Sequence, residues 1–167
     1  MAEAGESFLT LTLNSPHQQE NYPGNLAVRV TYALSEDGLK ISYFAQSDQD
    51  TLCNLTSHAY FNLSGHASGT VLGQTIQIFA DQYTPTDAAS IPTGALEDVA
   101  GTPMDLRTPK AIGAEIGADF VQLVQAGGYD HNWVLRGKTG ILHPAARAVS
   151  PETGIVLDVE TTLPGVQ

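Results

Sequence analysis

Between Leu26 and Tyr43 the chain alternates apolar and polar side chains over two successive runs. Leu26, Val28, Val30, Tyr32 and Leu34 alternate with Ala27, Arg29, Thr31 and Ala33, and Leu39, Ile41 and Tyr43 resume the pattern. A period of two places all the apolar side chains on one face of an extended chain, which a helix of 3.6 residues per turn cannot do. Asp37-Gly38 lies between the runs and supplies turn chemistry, because glycine tolerates positive φ and aspartate bonds its local backbone. Residues 26–46 are therefore expected to form a β-hairpin.

The same reasoning extends along the chain. Leu9, Leu11 and Leu13 alternate with Thr10 and Thr12, and further strands are expected near 51–63, 74–80, 132–136, 145–149 and 154–162. One short helix is expected from about Thr108 to Phe120, with Thr108 as N-cap and Pro109 at the first helical position, weakened by Gly113 and Gly117. The Tyr83–Arg107 stretch, with Pro85, Pro92 and Pro103, reads as a long loop of the kind that often carries function. Many short strands separated by Gly/Pro turns predict an all-β chain, an antiparallel sandwich or barrel with at most one short helix. With 167 residues, 42% of them apolar, residues 1–167 suffice for a single domain with a core.

Charge and cysteine content narrow the function classes. Seven basic residues face 18 acidic ones, a formal net charge of −11. Such a chain repels phosphate backbones and anionic lipid, so nucleic acid and membrane are not expected partners. No apolar run approaches the ~18 residues a membrane span needs. The acidic start, Met1–Ser7, carries no signal-peptide pattern, and a single cysteine, Cys53, suits a reducing compartment; a cytoplasmic location is expected.

Two clusters hold the chemistry. If Thr51–Leu63 is one strand, Asn54, Thr56, His58, Tyr60 and Asn62 share a face opposite Cys53, Leu55, Ala59, Phe61 and Leu63. A rigid row of donors and acceptors with an aromatic ring is what a polyhydroxylated ligand needs. The alternative, a solvent-facing strand, would favour Lys, Glu and Thr. In Gly127-Gly128-Tyr129-Asp130-His131-Asn132 the two glycines suggest a tight loop aiming polar groups at a cleft, or an ordinary turn before the strand at Trp133. No H-x-H, H-E-x-x-H or C-x-x-C spacing supports a metal site, and no nucleophile elbow, P-loop or dinucleotide fingerprint is present. His17, His66 and His143 lie beside turn residues and read as exposed loop histidines.

Six segments in order carry a resemblance: Tyr22-Pro23-Gly24-Asn25-Leu26, Asn54 to Leu63, Ile91-Pro92-Thr93-Gly94, Gly101 to Arg107, Gly127 to Asn132, and Thr162-Leu163-Pro164-Gly165-Val166-Gln167. Together they resemble the aldose 1-epimerases, or galactose mutarotases, from about Phe8 to Gln167. The resemblance implies a β-sandwich of large antiparallel sheets, the galactose mutarotase-like supersandwich. It implies interconversion of the α and β anomers of free hexoses, galactose or glucose, without a cofactor. It places the general acid on His58 and a residue beside the sugar on Tyr60. It places an anchor for sugar hydroxyls on Asp130, with His58 also touching substrate.

The chain departs from the family pattern in places. Ser57 stands where family members usually have asparagine. Phe8 matches a mid-chain strand of the family, and the sequence ends before the family's glutamate base. On that basis the domain is expected to be partial, a poor catalyst by itself, and prone to self-association through uncovered sheet edges. A non-catalytic sugar-binding module is the competing expectation; an anomer-interconversion assay separates the two.

Overall fold

A computed structural model describes residues 7–167 and, for their backbone, Ala2–Ala4. Its contacts divide the chain into two compact units, Met1–Ala59 and Tyr60–Gln167. Each has its own sheets.

The first unit is one antiparallel sheet of β1 (Ala2–Ala4), β2 (Phe8–Ser15), β3 (Leu26–Ser35) and β4 (Gly38–Ser47), in that spatial order. The expected hairpin is β3–β4. Its loop is Glu36-Asp37 rather than Asp37-Gly38, because Gly38 already pairs with Ser35, at φ +135°. The register aligns Leu11, Val30 and Tyr43 across three strands, and likewise Leu9, Tyr32 and Ile41, so the alternation read from each strand becomes one apolar face. That face is not a core: Leu13, Leu34 and Leu39 are each about 60% exposed. The opposite face carries Thr10 bonded to Thr31 at 3.0 Å and the Arg29 guanidinium 4.9 Å over the Phe44 ring.

The expected strand over 51–63 does not form; the backbone from Thr51 to Asn62 is irregular. Alternation is a local property, whereas a strand also needs a ladder partner, and none of the described pairings reaches this segment.

The second unit holds two four-stranded antiparallel sheets. One has the order β11 (Val156–Thr161), β10 (His143–Val149), β5 (Thr75–Ile78), β8 (Lys110–Ala111). The other is β12 (Gly165–Val166), β9 (Asn132–Leu135), β6 (Ala80–Thr84), β7 (Glu97–Asp98). The strands expected near 74–80, 132–136, 145–149 and 154–162 are all present, the first of them split. At Phe79 the chain crosses from one sheet to the other: its N–H donates to Ala145 of the first, and its C=O accepts from Arg136 beside the second. Register irregularities at Ala80/Gln82 and Pro144/Ala146 flank this crossing, and a bulge is a usual way to turn a strand.

Ile78, Ala80, Tyr83, Trp133, Leu135 and Ala145 from both sheets meet in one core, completed by Val99, Met104, Leu106 and Leu123. Val99, Met104 and Leu106 lie in the long loop read as functional. Part of that loop is therefore core-forming, pinned by Trp133 Nε1–H to the Met104 carbonyl at 3.1 Å.

The helix is displaced from its expected position. Residues Ile112–Ala114 form only a 3₁₀ turn, and the α-helix, α1, is Val121–Ala126. Gly113 and Gly117 break the earlier segment, whereas Val-Gln-Leu-Val-Gln-Ala is free of breakers. Gly127, at φ +71°, ends α1 in the left-handed conformation that glycine adopts without strain. The described residues are thus all-β and antiparallel with one short α-helix. No helix among the described residues is long and apolar enough to cross a membrane.

Candidate functional site

The segment 54–63 divides into two parts. His58 and Tyr60 are exposed, Tyr60 at 91%. His58 lies at the end of the first unit and Tyr60 opens the second. Asn62 does not continue their row. Its Oδ1 accepts from the Ser64 N–H at 3.1 Å and from Gln74 Nε2 at 2.8 Å, and its Nδ2 donates to Gly69 O. Leu63 is buried, and its carbonyl accepts from Thr153 Oγ1 at 2.8 Å. The second half of the motif is thus a structural anchor, while its exposed half presents the histidine and tyrosine. A shared strand face for all five polar residues is ruled out by the irregular backbone.

The second cluster behaves as its glycines suggest. Gly128 N–H donates to Leu123 O at 2.9 Å, and φ +139° at Gly128 turns the chain out of α1 toward β9. Tyr129 OH donates to Pro103 O at 3.0 Å. The two following side chains then diverge: Asp130 is exposed and His131 only 1% exposed.

His131 is locked in a buried polar cluster. Its Nδ1 accepts the Asp130 backbone N–H at 3.3 Å, and its Nε2 meets Gln122 Oε1 at 3.1 Å. Gln122 in turn accepts the Thr86 N–H at 2.7 Å and donates to the Thr86 carbonyl at 3.0 Å. The Tyr83 ring stands edge-on to the imidazole at 5.9 Å. Burial holds the His131 pKa below the usual histidine range, and the Asp130 charge only partly offsets it. His143, expected on a loop in solvent, is buried at the start of β10, with Nδ1 at 2.7 Å from the Ile141 carbonyl.

One residue overlooked in the sequence joins this site. Gln167 Nε2 donates to Asp130 Oδ1 at 2.7 Å. The antiparallel pairing of β12 with β9 sets Gly165 opposite Val134 and Val166 opposite Trp133, which brings Gln167 toward Asp130. A Cβ at Gly165 would lie 2.1 Å from Asn132 Oδ1, so a larger residue there would displace the Asn132 side chain. The available signal was the recurrence of Pro164-Gly165-Val166-Gln167 in the family pattern; nothing in composition or periodicity points to Gln167.

Elsewhere in the second unit, Arg136 grips Asp81 through two bonds of 2.9 and 2.6 Å, and Arg107 grips Asp105 at 2.9 and 2.7 Å. Arg107 also lies 3.7 Å from Asp81. These guanidinium bonds hold both carboxyls below the ordinary carboxylate range. Among the described residues no three His, Cys, Asp or Glu side chains gather where they could hold a metal ion.

Comparison with known proteins identifies the family. The sequence profile of the family Aldose 1-epimerase matches residues 2–167. Human galactose mutarotase is 44% identical over 153 residues, which is 92% of this chain and 43% of that protein. The aldose 1-epimerase of Escherichia coli K12 is 39% identical over 156 residues, 93% of this chain and 44% of that one. A solved galactose 1-epimerase from Lactobacillus acidophilus superposes with a TM-score of 0.78 at 33% identity, over 90% of this chain and 44% of its own. An aldose epimerase homologue from C. elegans superposes at 0.80 with 27% identity, over 99% of this chain and 49% of its own. The chain therefore spans less than half the length of these relatives. With the family profile matching from residue 2 to residue 167, the chain belongs to the aldose 1-epimerase family.

Proposed function

We propose that this chain carries the acid-bearing and hydroxyl-binding part of an aldose 1-epimerase that interconverts the α and β anomers of free hexoses such as galactose and glucose. The observation that carries the reading is the Asp130–Gln167 pair, an exposed carboxylate and amide held 2.7 Å apart by the meeting of two family motifs. A carboxylate accepts from sugar hydroxyls, and an amide both donates and accepts, so the pair suits a polyol edge.

The chemistry is proton transfer alone. A base takes the proton from the C1 hydroxyl while an acid protonates the ring oxygen, and the ring opens to the aldehyde. Rotation about C1–C2 and closure on the other face yields the other anomer. No electrons or groups leave the substrate, so the reaction needs no cofactor. His58 is the acid in this reading, since a histidine side chain exchanges protons near neutral pH. Tyr60 lies beside the sugar and Asp130 anchors its hydroxyls. Free, exposed Cys53 fits a reducing compartment such as the cytoplasm.

Polarimetry on freshly dissolved α-D-galactose tests the assignment. The chain alone should accelerate mutarotation only weakly over buffer, and His58→Ala should remove that acceleration; in a full-length relative the loss of one general acid is worth about 10²–10⁴-fold. Asp130→Ala should weaken binding as well as turnover. Galactose-induced amide shifts at Asp130 and Gln167 without any acceleration would identify a sugar-binding module instead. Neither acceleration nor shifts would refute both readings.

The exposed apolar face of the first sheet, together with the edge strand β4, supports self-association of the chain. Exposed apolar area and unpaired strand edges are what a second copy can cover.

A further inference from the structure

Three of the six buried polar residues described, Thr86, Gln122 and His131, belong to one hydrogen-bonded cluster directly behind Asp130. Its geometry fixes the state of the imidazole. Nδ1 faces a backbone N–H, which can only donate, so Nδ1 is the unprotonated acceptor. A neutral imidazole then carries its proton on Nε2, and Nε2 donates to Gln122 Oε1. Gln122 Nε2 donates to the Thr86 carbonyl, which leaves Oε1 as the acceptor that both Thr86 N–H and His131 require. Every donor in the chain of bonds meets an acceptor in only this arrangement.

We infer that His131 is a positioning residue of the sugar site: as the neutral, Nε2-protonated imidazole it holds the Asp130 backbone N–H and, through Gln122, ties that backbone to the Thr86 loop, so that the Asp130 carboxylate is aimed at sugar hydroxyls. The inference rests on Asp130 being a hydroxyl anchor. His131 does not touch the sugar, because it is 1% exposed. Its contribution is to remove the freedom of the peptide that carries Asp130, in a site whose affinity depends on holding polar groups in place before the ligand arrives.

Two substitutions separate the halves of this connection. Asparagine at 131 keeps an acceptor near the Nδ1 position and loses the reach to Gln122. Glutamine keeps a donor near the Nε2 position and loses the acceptor for Asp130 N–H. Galactose is titrated into the ¹⁵N-labelled 167-residue chain, following the amides of Asp130 and Gln167. His131→Gln should raise the galactose Kd about 3- to 10-fold, the worth of one neutral hydrogen bond. His131→Asn should lose stability and raise the Kd by less than His131→Gln, since it keeps the bond to the Asp130 N–H. A purely structural histidine would affect both Kd values only through the folded fraction.

A pH series adds a second readout. Protonation puts a second donor on Nδ1 against the Asp130 N–H. Affinity should therefore fall as pH drops below the usual histidine range in the wild type, and fall by less in His131→Asn. Around the imidazole, Tyr83 of β6 stands edge-on with its hydroxyl bonded to Glu97 of β7, the Asp130 carboxylate is adjacent, and α1 contributes the uncharged Gln122. Galactose binding undiminished in His131→Gln overturns the positioning role. A wild-type chain with no galactose-dependent shift at all overturns instead the reading of Asp130 on which it rests.

Discussion

Replacing Gln122 by methionine tests whether the buried amide holds the second unit together. Methionine matches glutamine in length and in helix preference, so α1 itself is not penalised. What changes is the fate of three groups: the Thr86 N–H, the Thr86 carbonyl and the His131 Nε2–H all lose their partner. Each buried group left unsatisfied costs about 1–3 kcal/mol. Thr86 and Gln122 are 8% and 7% exposed, close enough to the surface for water to relieve part of the loss. The low end of the range applies, about 3 kcal/mol for the three groups together. For a unit of this size that lowers the thermal midpoint by roughly 12–24 °C. Urea denaturation followed by the fluorescence of Trp133, the single tryptophan and 4% exposed, measures the change. Val124→Gln on the same helix is the control, since Val124 is 62% exposed and should stay within about 0.5 kcal/mol. A loss below about 1 kcal/mol for Gln122→Met, at unchanged denaturant slope, would refute the reasoning: the cluster would then be a set of contacts rather than a brace.

Met104→Ala should cost about 2–5 kcal/mol in the same denaturation assay, because Met104 is fully buried although it lies in a long loop. Arg107→Gln should raise the titration midpoint of Asp105 in carboxyl NMR, since the Arg107 bonds are the largest cause of its lowered pKa. The sign follows from linkage: Asp105 stabilises the fold above its unfolded pKa and loses that contribution as pH falls through its lower native value, so Arg107→Gln should flatten stability in the acid range. An unchanged Asp105 midpoint would contradict the assignment. The double substitution Leu13→Lys with Leu39→Lys should reduce the mass seen by light scattering, as both side chains are about 60% exposed on the apolar face. A dilution-independent monomer in the unsubstituted chain would remove the basis for self-association.

What the sequence by itself determined is the part of the fold that depends on neighbours one or two residues away. The alternation of Leu26 to Leu34 with Leu39 to Tyr43 specifies a hairpin whichever partners surround it, and β3 and β4 are that hairpin. Gly127-Gly128 likewise carries its turn in its own φ freedom. The same logic over-reached at Thr51–Leu63, where the pattern was present and a pairing partner was not. The capping signals at Thr108-Pro109 predict a helix there, but Gly113 and Gly117 leave only a 3₁₀ turn, and the α-helix forms at Val121–Ala126. Tertiary structure decided the rest. Adjacent residues Asp130 and His131 have opposite fates, one exposed and one buried, because Gln122 and Thr86, remote in sequence, offer hydrogen bonds on only one side. Gln167 reaches Asp130 only because β12 pairs with β9 across 32 residues of chain, and no local pattern encodes which distant strand supplies a partner. Chemistry could be listed from the residues; which of them face a ligand was set by the partners that folding brought to each.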